Sequence, residues 1–209
     1  MDQNLKEKIE SINNIFLFIQ TINNSKSWKE INGWFTENDA ISYQSIVSRY
    51  LNGNFAEIGS WKGRSFSSVF HILKLCGYKN IYTIDTWNGD KDSGYEFSQY
   101  HEVVAKDIFD EFTTNLKNLG FDGQYTPIKL PSTEASKQFD DEFFDIVFID
   151  ADHSYDAVVE DIRAWLPKVK KDGILCGHDI LHIDVRKALE DEAVVYTTVP
   201  DNIWFHIKK

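Results

Sequence analysis

Five times between Phe55 and Gly177 a short apolar run closes on a polar residue and gives way to a stretch of helical spacing, which restricts the chain to few architectures. The runs are Phe55 to Ile58, Ile81 to Ile84, Tyr125 to Leu130, Ile146 to Ile149 and Ile174 to Gly177. Helical faces follow at Phe66, Val69, Phe70 and Leu73, at Val104, Ile108, Phe112 and Leu116, and at Val158, Ile162, Trp165 and Val169. Short connections between such units predict a doubly wound, Rossmann-like α/β/α sandwich around a mostly parallel sheet. Val194 to Val199 and Ile203 to Ile207, joined across Pro200-Asp201-Asn202, read as an edge hairpin. It completes a seven-stranded sheet with an antiparallel C-terminal strand.

Parallel strands bring their carboxyl ends to one rim, where ligands of open α/β sheets collect. The residues predicted there are Glu57, Gly59, Asp85, Pro131, Ser132, Asp150, His153, His178 and Asp179. Phe144 to Tyr155 is the most informative stretch, because an apolar strand buried on both faces ends abruptly in Asp150, Asp152 and His153. Asp152 reads more simply as a cap for the helix that begins near Tyr155.

With 209 residues, the chain suits one domain carrying a short appendage. A helical extension over residues 1–50, serving as cap or dimerisation element, precedes a catalytic domain over 51–209, and a homodimer or higher homo-oligomer is expected. In the extension, Leu5, Ile9, Ile12, Phe16 and Ile19 form one helical stripe, and Thr36 or Asn38 caps a second helix carrying Ala40, Tyr43, Val47 and Tyr50. The aperiodic stretch Asn88 to Tyr100 reads as an exposed loop or lid. A net charge of −11 argues against nucleic-acid partners, since phosphates dominate such binding. Cys76 and Cys176 lie in apolar segments without metal-type spacing, which suits free thiols in a reducing cytoplasm. No apolar run is long enough for a membrane span, so no membrane partner is expected.

Between the first strand and its helix lies Glu57-Ile-Gly-Ser-Trp-Lys-Gly-Arg-Ser65. Gly59 permits close approach of backbone to a ligand, Gly63 a tight helix entry, and the helix N-terminus presents free N–H groups. The usual dinucleotide glycine triplet is absent. Asp85, ending the second strand, supplies an acid able to accept both hydroxyls of a ribose, and together the two features suggest an adenosine-bearing cofactor.

These residues, with Tyr82-Thr-Ile-Asp-Thr-Trp87 and FDIVFIDADHSYDAVVEDIRAWLPKVKKDGILCGHD, resemble the class I S-adenosylmethionine-dependent methyltransferases. The nearest branch is the small O-methyltransferases similar to macrolide-sugar and rhamnosyl methyltransferases, many of them metal-dependent. The resemblance implies that Glu57, Gly59 and Ser60 line the methionine end of the cofactor. It puts Asp85 on the ribose, Ser132 by the adenine with Trp87 near it, and Asp150 at the end of strand four. Trp34, Trp61 and Trp87 can be read as aromatic walls for cofactor or sugar, and Trp34 and Trp61 equally as packing residues. In the metal-dependent branch the acid matching Asp150 and an acidic pair after strand five hold magnesium. Here that pair is His178-Asp179, and histidine suits softer metals better than Mg²⁺. Asp150 and Asp179 could still hold Mg²⁺ with waters and substrate oxygens.

The expected reaction is methylation of a hydroxyl on a small acceptor, a sugar or glycosylated metabolite. His153 is the first candidate base and His178 the second, because imidazole titrates near neutrality, and a metal on Asp150 would acidify the hydroxyl directly. Alternatives are an NAD- or nucleotide-sugar-dependent oxidoreductase, which the missing glycine triplet disfavours, and a cofactor-binding protein without turnover.

Overall fold

A computed structural model describes residues 27–88 and 108–209. The first amphipathic stripe, nearly all of the proposed lid, and Val104 lie outside the described residues. After a 3-10 turn at Trp28–Glu30 come α1 (Glu37–Val47), β1 (Asn54–Ile58), α2 (Arg64–Leu75), β2 (Asn80–Asp85) and α3 (Ile108–Asn118). There follow β3 (Thr126–Lys129), α4 (Ser132–Ser136), β4 (Phe144–Ile149), α5 (Tyr155–Trp165), β5 (Val169–Gly177), α6 (Ile183–Asp191), β6 (Thr197–Val199) and β7 (Ile203–Ile207).

The strands form one seven-stranded sheet in the order β3-β2-β1-β4-β5-β7-β6. The five from β3 to β5 are parallel; β7 runs antiparallel to β5, and β6 antiparallel to β7. The doubly wound sandwich is therefore as predicted, with β7 slotted between β5 and β6. Alternate residues of each strand feed two cores. Phe55, Ile146, Phe148 and Ile174 meet Tyr43 and Val47 of α1, Phe66 and Phe70 of α2, and Phe112 of α3. On the other face Ala56, Ile58, Val147, Ile149 and Leu175 meet Ala135, Val158, Ile162, Trp165, Val185 and Leu189.

One boundary differs from the sequence reading. Val169 does not continue α5 but opens β5, paired with Phe144. Pro167 is the reason: it lacks an N–H and constrains the residue before it, so α5 stops at Trp165 and tightens into a 3-10 turn over Leu166–Lys168.

Residues 27–50 pack directly on the sheet domain. Arg64, at the start of α2, donates from Nε to the Phe35 carbonyl (2.8 Å) and from Nη1 to the carbonyls of Lys29 (2.7 Å) and Ile31 (2.6 Å). The Tyr43 ring of α1 stacks on Phe148 of β4 with centroids 3.9 Å apart. No helix among the described residues is long and apolar enough to cross a membrane.

Candidate active site

Backbone bonds carry the sheet ladder one residue past the strand ends and fix the rim. Gly59 N–H donates to Ile84 O (2.8 Å), Asp150 N–H to Ile58 O (2.8 Å), and His178 N–H to Ile149 O (3.0 Å). The turn after β1, the end of β4 and the end of β5 are thus held side by side. A Cβ added at Gly59 (φ +85°) would stand 2.0 Å from the Asp150 carbonyl oxygen, so this glycine is required by the protein's own backbone. Gly63 (φ +87°) opens α2 without a side-chain cap.

Two groups of residues occupy the rim. The first surrounds Asp85, whose carboxylate accepts from the Trp61 N–H (2.8 Å) and the Trp87 N–H (2.7 Å). The Trp87 indole N–H donates to the Trp61 carbonyl (2.8 Å), locking the β1 and β2 turns together. Both tryptophans adopt left-handed backbone conformations, φ +40° and +48°, a strain that recurs at ligand-binding turns. Trp61 stacks on Trp34 with centroids 5.1 Å apart, whereas Trp87 is buried against Phe109 and Phe112. Glu57 lies beneath this turn, fully buried, and accepts from Tyr43 Oη (2.9 Å) and Ser65 Oγ (3.0 Å). Burial, reinforced by nearby Asp150, raises its carboxyl to about 8 despite these bonds. Ser132 stands apart from both groups, its hydroxyl hydrogen-bonded to Asp161 and accepting from the Trp165 indole (2.7 Å).

The second group is a cluster of acids and imidazoles. His153 Nε2 lies 2.6 Å from Asp179 Oδ2 and 3.8 Å from Asp150 Oδ1. His178 Nδ1 lies 2.9 Å from Asp179 Oδ2 and 3.6 Å from Asp150 Oδ1, and its Nε2 is 3.3 Å from Asp39 Oδ2. Burial favours the neutral imidazole at both histidines, but the carboxylates outweigh it: His153 is pushed up to about 10, and His178 well above the usual imidazole range. The same pairing, against their own burial, holds the carboxyls of Asp150 and Asp179 low and that of Asp39 at about 2.

Asp39 is the residue that sequence reading overlooks. Its backbone N–H donates to Thr36 Oγ1 (3.1 Å) and its Oδ2 accepts from the Thr36 N–H (2.9 Å), so Thr36-x-x-Asp39 is a capping box at the start of α1. That pattern is legible, but the reach of Asp39 to His178 is tertiary. Asn202 is the second omission: from the β6–β7 turn its amide donates to Asp179 Oδ1 (2.9 Å), and its N–H lies 3.3 Å from Asp39 Oδ1. Asp152 accepts from the Ser154 N–H (2.7 Å) at the entry to α5, and His182 caps α6.

The residues around Asp85 fit an adenosine-bearing cofactor. Asp85 stays partly exposed at the end of β2 with its carboxylate fixed by backbone N–H groups, and the Ser60 hydroxyl is buried without a hydrogen-bond partner. Magnesium fits less well. One donor atom each of Asp150, His153 and Asp179 falls within 4.8 Å of the others, a group that could hold a cation. Yet Asp179 Oδ1 is taken by Asn202 and its Oδ2 by both imidazoles. Mg²⁺ demands a near-complete oxygen shell, whereas His153 and His178 bring imidazole nitrogens up to Asp150 and Asp179. These residues do not fit a hard divalent ion.

Comparison with known proteins identifies the family and the fold. A family model described as "Methyltransferase domain" matches residues 56–180, more than half of the chain. The "Uncharacterized protein y4gI" of Sinorhizobium fredii (strain NBRC 101917 / NGR234) is 27% identical over 99 residues, which span 47% of this chain and 10% of that protein. The chain thus matches about a tenth of that relative's length. Among solved structures, the O-methyltransferase NovP superposes with a TM-score of 0.64 at 15% identity, covering 82% of this chain and 80% of its own. Cofactor-bound Rv0187 from MTB gives 0.62 at 12% identity (92% and 88%), and CalS11, a TDP-rhamnose 3'-O-methyltransferase, 0.53 at 12% (83% and 81%). At such identities the superpositions establish the fold. The chain belongs to the methyltransferase-domain family and has the fold of the class I S-adenosylmethionine-dependent methyltransferases.

Proposed function

We propose that the protein transfers the methyl group of S-adenosylmethionine to a hydroxyl oxygen of a small polyhydroxylated acceptor, a sugar or glycosylated metabolite. The observation that carries this reading is His153 Nε2, in the loop after β4, 2.6 Å from Asp179 Oδ2 and 3.8 Å from Asp150 Oδ1. The sugar class draws on CalS11, a distant structural neighbour that is a TDP-rhamnose 3'-O-methyltransferase.

Bound S-adenosylmethionine would supply an activated methyl group. The chain's own task is to align an acceptor oxygen with it and to remove the hydroxyl proton. The turn of Gly59, Ser60 and Trp61 and the acid Asp85 hold the cofactor in this reading, and Trp87 braces Trp61 from behind. Neutral His153 accepts the proton at Nε2, and Asp150 and Asp179 stabilise the imidazolium that forms. No step passes through a metal.

Incubation with labelled S-adenosylmethionine and a panel of sugars, nucleotide sugars and glycosides tests the reading. Label should enter a hydroxylated acceptor as an acid-stable ether. Label entering only amine or carbon acceptors would overturn the oxygen assignment.

A further inference from the structure

We infer that the His178 imidazolium, clamped by Asp39, Asp150 and Asp179, is the resident cation of this site, and that the enzyme works without a divalent metal. The inference rests on the methyltransferase reading above and deepens it.

His178 is buried at the end of β5, and each ring nitrogen faces carboxylate oxygen. Nδ1 is 2.9 Å from Asp179 and 3.6 Å from Asp150; Nε2 is 3.3 Å from Asp39. Nδ1 is hydrogen-bonded to Asp179, while Nε2 is buried at ion-pair distance from Asp39 without hydrogen-bond geometry, so a neutral ring would leave a lone pair beside one of these carboxylates and the doubly protonated ring puts positive charge beside both. Phe35 packs against the ring with centroids 5.2 Å apart, and the Trp204 indole donates to the His178 carbonyl (3.2 Å). The imidazole is thereby held between α1 and the rim. His153 faces this ring across Asp179 and Asp150, whose Oδ1 lies 3.8 Å from His153 Nε2 and 3.6 Å from His178 Nδ1.

Three carboxylates would repel one another strongly if left alone in a half-buried crevice. A divalent ion is one remedy, and a fixed imidazolium is another. Asp39 decides between them. It reaches the ring from outside the crevice, anchored by the Thr36 N–H (2.9 Å) and hydroxyl (2.7 Å), and holds positive charge where a metal would otherwise neutralise Asp150 and Asp179. Asp39 is a positioning residue in this account: it acts on the reaction through His178.

The test combines two measurements on the intact protein after EDTA treatment. In nitrogen-15 NMR of histidine-labelled protein, with His178→Gln identifying the signals, both His178 nitrogens should resonate as imidazolium at neutral pH. Asp39→Asn should lower the midpoint of that titration by about one pH unit or more, the effect of removing one of three facing carboxylates. Asp39→Glu should restore part of it. If Asp39→Asn fails to fold, the wild-type spectrum still decides. In parallel, calorimetry with Mg²⁺ and then Mn²⁺ at millimolar concentrations should show no saturable binding, and any methyl transfer should survive EDTA. A neutral His178 at pH 7, or saturable metal binding that shifts its signals, would overturn the inference. S-Adenosylhomocysteine binding, measured on the same sample, separates this failure from failure of the methyltransferase reading.

Discussion

Asp39 Oδ2 stands 3.3 Å from His178 Nε2, joining the helix that precedes the sheet to the carboxyl end of its fifth strand. Through this contact and the clamp of Arg64 on residues 29–35, the N-terminal region contributes to the site as well as to the core. Asn202 draws the β6–β7 turn into the same arrangement, so the cluster is gathered from α1, β4, β5 and the C-terminal hairpin.

His153 must be neutral to act as a base, and Asp150 and Asp179 hold its proton to about pH 10, outweighing the opposing effect of burial. The rate of methyl transfer under saturating cofactor should therefore climb with pH, by about tenfold per unit at low pH, and level off near that value. His153→Gln should lower kcat by about two to four orders of magnitude and abolish this rise, while S-adenosylhomocysteine affinity stays within a few-fold. A pH-independent rate would remove His153 from proton transfer.

The same ion pairs make the stability depend on pH. A histidine whose folded value is raised stabilises the native state fully below its ordinary value of 6.5, and loses that contribution as pH climbs toward about 10. Glu57 acts in the same direction for a different reason: burial keeps it protonated to about 8, so the native state loses stability between 4.5 and 8 as the unfolded carboxyl ionises first. In urea titrations across that window, the stability of the wild type relative to Glu57→Gln should fall with rising pH and then flatten. A constant difference would mean that Glu57 is ionised throughout.

Gly59 offers a steric test. Gly59→Ala brings a methyl group to 2.0 Å from the Asp150 carbonyl at a left-handed φ, and should cost more than about 2 kcal/mol or prevent folding. Gly120 also has a positive φ but nothing within 4 Å of an added Cβ, so Gly120→Ala should cost only about 1 kcal/mol. Equal losses in denaturant titrations would show that backbone conformation alone, and not the β1–β4 approach, requires Gly59.

Most of the fold was legible because alternating apolar runs and helical stripes declare a doubly wound sheet, and because its topology brings Glu57, Asp85, Asp150 and His178 to one rim. The error at Val169 came from following a helical period of alternating four- and three-residue steps through Pro167. The site was only partly legible for a physical reason. His153, Asp150 and Asp179 sit at strand ends, where sequence position fixes location. Asp39 and Asn202 reach the cluster from a capping box and a hairpin turn, and nothing local distinguishes them from ordinary caps and turns. Glu57 was readable as a rim residue, but not its burial beneath the rim, which depends on Tyr43 and Ser65 arriving from two helices.

The most direct measurement is calorimetric titration of the wild-type protein and Asp85→Ala with S-adenosylhomocysteine, with NAD as the comparison ligand. The account predicts saturable one-to-one binding of S-adenosylhomocysteine to the wild type, weakened at least about tenfold by Asp85→Ala, and none of NAD. Binding of NAD in preference, or an S-adenosylhomocysteine affinity unchanged by loss of the Asp85 carboxylate, would contradict it.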